Sequence, residues 1–252
     1  MNRITTVIAA GLLALATALP ASAQTDAPEP TDAAAREDTH RDRVAALDHL
    51  KRRAQAAVDR RLETLDRMTD LVSDHGHMTT GHKDELLADY AAAEAGLVDL
   101  NSQIQAAATV GEALALLPKI AEDYRVYLVM VPKSHGVAVS DAIVAAGDRI
   151  VAAGTVIQAA IDRAEDAGVD ATTAQQLLEA ALADGAAGVA KGDPVAESVI
   201  DLDAANWPDP AESVLRSARA DLQDARASIR SAVEGLRGSV AALREALGNR
   251  NG

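Results

Sequence analysis

Apolar residues recur along most of this chain at spacings of three and four. In residues 40–73, Leu47, Leu50, Ala54, Ala57, Arg61, Leu65, Met68 and Val72 form one stripe, apolar except for Arg61 and widened by Val58 and Leu62. That period puts them on one face of a helix. Residues 80–107 repeat more strictly, through Leu86, Tyr90, Ala93, Leu97, Leu100, Ile104 and Ala107. This is the pattern of side chains that knob into a neighbouring helix. Thr109-Val110-Gly111-Glu112 spells a capping box and predicts a third helix carrying Leu114, Leu117, Ile120, Tyr124 and Leu128. Pro118 is placed to kink it. Val131-Pro132 is placed to end it, since a residue before proline is driven out of the helical region.

A fourth helix is predicted over residues 139–167, with Ile143, Gly147, Ile150, Gly154, Ile157, Ile161 and Ala164 on its stripe and Gly168 as its stop. Gly147 and Gly154 lie a heptad apart and imply close approach of a neighbouring backbone. A fifth helix covers residues 172–190. Residues 192–208 read as a long loop whose Val199, Ile200, Leu202 and Trp207 dock on the helices. Asp209-Pro210-Ala211-Glu212 then opens a last helix, with aspartate as cap and proline in the first turn, running to about residue 247. The one β-prone rival is VYLVMV, residues 126–131, inside a helical frame.

The pattern therefore predicts an all-α protein: an elongated antiparallel bundle of five to six helices with coiled-coil-like 3-4 seams. It forms a single domain over residues 40–248, followed by a short tail, 249–252. Two bundles hinged near Pro132 is the alternative arrangement.

The N-terminus departs from this pattern. Arg3 precedes a 16-residue apolar run from Ile4 to Leu19, and Pro20-Ala21-Ser22-Ala23 ends it in a small-x-small sequence. This predicts a secretory signal peptide cleaved after Ala23. The run is short for a membrane span, no cysteine stands at the cleavage point to take a lipid, and no later stretch reads as a span. The mature protein is expected outside the cytoplasmic membrane. Residues 24–39, rich in Pro, Asp and Ala, read as a disordered spacer.

Composition narrows the chemistry. The chain has no cysteine and no phenylalanine, and aromatics are 2%. Disulfides and thiolate sites are excluded, and the core must be built from Ala, Leu, Val and Ile. The net charge of −14 argues against nucleic acid. Residues 41–70 hold eight basic and six acidic groups, residues 84–203 six and twenty, and residues 209–245 six of each. Near-neutral first and last segments beside an acidic middle would favour contact between them; the competing reading is solvated helix faces with no partner meaning.

The segment Tyr124-Arg125-Val126-Tyr127-Leu128-Val129-Met130-Val131-Pro132-Lys133-Ser134-His135, with the Met78-Thr79 turn before the second helix, resembles a signature of secreted, alanine-rich helical proteins of high-GC Gram-positive bacteria. The resemblance extends over about residues 46–247. It implies secretion and a helical fold and carries no activity. His82 departs from that pattern, which more often has an acidic residue there.

Two clusters are candidates for binding. In SDHGHMTTGHKDE, His75 and His77 flank Gly76, and Asp74 or His82 could complete a tetrahedral metal set. The competing reading is an ordinary polar loop, with Thr79 or Thr80 capping the second helix and His82 in its first turn, facing solvent or capping the backbone. The second cluster is Tyr124, Arg125, Tyr127, Lys133 and His135, where a helix break near Pro132 would admit a small apolar or peptide ligand. The competing reading makes the tyrosines the large residues of a thin core. No catalytic triad, carboxylate pair, phosphate loop or dinucleotide fingerprint is present, so no enzyme and no cofactor is expected. The leading expectation is a secreted, non-enzymatic structural or interaction protein of the cell envelope or extracellular space. Its partner would be a protein or envelope component, with homo-oligomers formed through the helical seams. Ligand binding at either cluster is the alternative.

Overall fold

A computed structural model describes residues 32–250. Among them there is no strand. The main helices are α1 (Asp32–Ser73), α2 (Thr80–Ala106), α5 (Val131–Asp166), α6 (Thr172–Ile200) and α7 (Ala211–Arg250). Two short ones, α3 (Val110–Leu116) and α4 (Lys119–Glu122), lead into a π turn, Val126–Met130. The predicted signal peptide and the first half of the spacer lie outside the described residues. The described end of that spacer is helical, because α1 begins at Asp32 rather than residue 40. Asp32-Ala-Ala-Ala-Arg-Glu is a good helix-forming run, and Glu37 pairs with Arg41 one turn on.

Residues from Arg43 onward form one compact unit. The long helices run antiparallel in chain order. Lys51 Nζ donates to the Gln105 carbonyl, and Lys83 Nζ, near the other end of the hairpin, to the Ser73 carbonyl, which fixes α1 against α2. Ser239 Oγ donates to the Ala174 carbonyl and Lys191 pairs with Asp224, which fixes α6 against α7. Two cores result. One gathers α1, α2, the first half of α5, the end of α6 and the start of α7 around Leu65, Leu86, Leu97, Val137 and Val199. The other is a three-helix section of α5, α6 and α7 around Ile150, Ile161, Leu178 and Leu236.

The glycine pair predicted to allow close approach does so. A Cβ on Gly147 would collide with Val189 Cγ2, and one on Gly154 would stand 2.7 Å from Leu182 Cδ2. The partner helix answers in alternation: Gly192 receives Ile143 and Gly185 receives Ile150. Each branched side chain fills the space that a missing Cβ leaves opposite it, so α5 and α6 pack with short backbone separation. In a chain without phenylalanine, density comes from approach rather than from side-chain bulk.

Three further boundaries differ from the sequence pattern. The predicted third helix breaks at Arg125, whose backbone is left-handed at φ 38°, ψ 40°. The chain does not break at Val131-Pro132. Proline is tolerated in the first turn of a helix, where its missing N–H has no partner to lose, so Val131 and Pro132 open α5. The β-prone run 126–131 is accordingly π turn and helix start. The third difference is at 192–208, which is not a long loop: α6 continues to Ile200 through Pro194. Buried Ser140 of α5 makes this tolerable. Its Oγ donates to the Gly192 carbonyl and accepts from Ala196 N–H, standing inside the ladder that proline disturbs.

Against the reading that no later stretch could span a bilayer, a run within Val110–Asp166 meets the length and hydropathy of a span, with a mean hydropathy of 1.3. Only 22% of that window is buried. The α5 residues Ile143, Gly147, Ile150, Gly154 and Ile161 are in the core, while Val151 and Val156 are 61% and 68% exposed.

Candidate functional site

The α1–α2 turn is built as the sequence suggests. Thr79 caps α2, its Oγ1 accepting from His82 N–H at 3.2 Å. The turn then does something its polarity does not foretell. Asp141, in the first third of α5 and only 6% exposed, accepts from Thr79 N–H at 2.8 Å and lies 2.9 Å from His82 Nδ1. Glu197 of α6 lies 3.6 Å from the other ring nitrogen. Burial alone would lower the His82 pKa, but the two carboxylates outweigh it and the pKa is raised. His82 therefore faces neither solvent nor its own backbone. It is an ionic latch that ties the hairpin tip to α5 and α6.

This placement divides the histidine cluster. His75 Nδ1 accepts from Met78 N–H at 3.1 Å, His77 Nε2 lies 3.3 Å from Arg149, and His82 is engaged with Asp141. Asp74 is exposed at the start of the turn. Among the described residues no three histidines or carboxylates converge on a point where an ion could sit.

The second cluster is also spread over several faces. Tyr124 lies against Gly96 of α2, where a Cβ would stand 2.5 Å from its hydroxyl oxygen. Tyr127 turns instead to α1, donating to the Arg60 carbonyl at 3.2 Å beneath the Arg61 guanidinium. Arg125 supplies the left-handed turn between them. Lys133 is 3% exposed, and its ammonium is fully spent on Asp89 and on the carbonyls of Ile200, at 2.7 Å, and Leu202, at 2.9 Å. It caps the end of α6, where a cation suits the helix dipole. Tyr124 and Lys133 border a hollow of about 250 Å³, and His135 opens onto a larger one.

That hollow is a groove of about 460 Å³ between the end of α1, the first turns of α5, and α7. Its walls are Met68, Leu71, Val72 and Met78 on one side and Val131, Ala138, Val139 and Ala142 on another. Polar groups reach it from His75, Tyr90, Ser134, His135 and Arg226. Tyr90 donates to Ser134, which donates to the Met130 carbonyl at 2.6 Å. Burial pushes the Tyr90 hydroxyl up to about 12. Partial desolvation, then the charges of Arg226 and Arg219, push the His135 pKa down. Two further hollows along α5 and α7 share Arg226 with it.

Sequence reasoning missed the groove because its wall residues belong to the same stripes that fill the core. One signal was available. Arg219, Arg226 and Arg230 follow at spacings of seven and four, a single face of α7 beside its apolar stripe.

Compared with protein-family profiles, curated proteins and solved structures, the chain matches none.

Proposed function

We propose that this is a non-enzymatic binding protein, exported from the cytoplasm, that holds an apolar or amphipathic small molecule in the groove between α1, α5 and α7. The observation that carries the reading is the groove itself. It is a concave, mainly apolar hollow of about 460 Å³ with a few polar groups at its edge, within the size range of small-molecule sites. The apolar run and small-x-small sequence read at residues 4–23 support export. The ligand site lies beyond the Tyr124/Tyr127 pair, whose rings are occupied with α2 and α1. Titration with the neutral fluorophore 1-N-phenylnaphthylamine tests the reading. Saturable binding of one probe per chain is expected, and Ala142→Trp, which fills the groove, should abolish it while circular dichroism stays unchanged. Absent or non-saturable binding, or binding indifferent to that substitution, overturns the reading.

A second reading rests on a different surface. Val151 and Val156 are among the most exposed large apolar residues of the described chain, and with Ala152, Thr155 and Ala159 they form an outward face of α5. A protein partner or a second copy would bury it. Sedimentation velocity across a hundredfold concentration range tests self-association. A concentration-dependent shift removed by Val156→Glu supports it, and an invariant monomer excludes it.

A further inference from the structure

The groove has apolar walls, yet its polar groups are unequally committed. Tyr90 and Ser134 satisfy each other and the Met130 carbonyl, and His75 accepts from Met78 N–H. What remains uncommitted is Arg226, with His135 beside it. Arg226 makes no ion pair among the described residues, and neither do Arg219 and Arg230 on the same face of α7. The acidic residues of that helix that do pair are elsewhere: Asp224 with Lys191 and Glu212 with Arg216. Asp141, the buried carboxylate nearest in sequence to the groove wall, is held by His82 and Thr79 N–H. A chain of net charge −14 thus keeps three arginines on one face of α7 with no ion pair among the described residues, Arg226 at the groove and Arg219 and Arg230 at the two hollows beside it.

We infer that the groove takes a single-chain fatty acid, its alkyl tail against Met68, Val72, Met78 and Val139 and its carboxylate on the Arg226 guanidinium. This rests on the reading that the groove binds ligand, and it names the class. Charge complementarity selects the head group. A carboxylate matches the guanidinium fork in a bidentate pair, and a cationic head would be repelled by Arg219 and Arg230. Two adaptable methionines on one wall, Met68 and Met78, suit a flexible tail of variable length. His135, whose pKa is held down by burial and then by Arg226 and Arg219, stays neutral near pH 7 and is free to donate one hydrogen bond to the same head. The hollows that continue past Arg226 along α5 and α7 leave room for the head to approach from outside.

The test is displacement of bound 1-N-phenylnaphthylamine by four ligands of equal chain, below their micelle concentrations: dodecanoate, dodecanol, dodecyl phosphate and dodecyltrimethylammonium. Dodecanoate should displace the probe at concentrations roughly tenfold lower than dodecanol, the size of one charged hydrogen-bonded pair. The ammonium should be weaker than the alcohol. Arg226→Gln should collapse the dodecanoate-to-dodecanol ratio towards one, and Arg226→Lys should restore part of it. Because the ratio is internal to each variant, a general loss of stability cannot produce it. Equal displacement by acid and alcohol overturns the head-group assignment while leaving the groove. Dodecyl phosphate binding more than tenfold tighter than dodecanoate overturns the choice of carboxylate. Failure of the probe to bind at all overturns the groove reading instead.

Discussion

His82 and Asp141, 59 residues apart, meet at 2.9 Å and join the tip of the α1–α2 hairpin to the first third of α5. The same tip carries Val72, His75 and Met78, one wall of the groove. The latch is thus coupled to the site by position.

The pH dependence follows from the direction of the His82 shift. Its pKa is raised above 6.5 on folding. Below 6.5 the imidazole is charged in both states and the pair contributes fully. As pH rises through the folded pKa, the contribution is lost. Urea unfolding should show wild type more stable than His82→Gln by about 1 kcal/mol at pH 5.5, with the gap narrowing by pH 8.5. A gap that is constant or widens with pH contradicts the latch.

Asp141→Ala goes further, because it strands Thr79 N–H as well as the imidazole. A loss of roughly 2–3 kcal/mol is expected in the same assay. Double-mutant analysis with His82→Gln should give a coupling of about 0.5 kcal/mol or more, since the two side chains touch.

Lys133 answers a question the sequence left open. The predicted ligand role would have it free, but its ammonium is spent on Asp89 and two carbonyls at the end of α6. Lys133→Met should cost about 2–4 kcal/mol and speed amide exchange around residues 199–203. If exchange there is unchanged, the lysine does not hold that helix end.

The α5–α6 seam makes a size prediction. Gly154→Val would drive a side chain into Leu182 and should cost at least about 2 kcal/mol. Gly81→Ala, with nothing within 4 Å of a Cβ, should be neutral or stabilise α2 by up to about 1 kcal/mol. Thermal melts of the two variants against wild type distinguish these. Similar losses in both would mean the seam is not tightly packed.

These contrasts mark what was legible in the sequence. The five long helices, the Thr79 and Thr109 caps and the close approach at Gly147 and Gly154 follow from local spacing, because period and capping are written within a few residues. The continuity of α6 through Pro194 was not legible, since the hydroxyl that accommodates it comes from Ser140, 52 residues from Gly192. The break at Arg125 was hidden for the opposite reason: no glycine or asparagine marks a left-handed residue there. The histidines looked like one cluster because they are close in the chain. In space His82 belongs with Asp141 and Glu197, and only tertiary packing makes that pairing.

The groove can be tested most directly through its methionines. Met68 and Met78 line it, while buried Met130 faces a different hollow beside Lys133. With methyl-¹³C methionine, adding dodecanoate should shift the Met68 and Met78 resonances saturably and leave Met130 in place. A Met130 shift of equal size, or no shift at Met68 and Met78 at saturating ligand, would contradict binding between α1, α5 and α7.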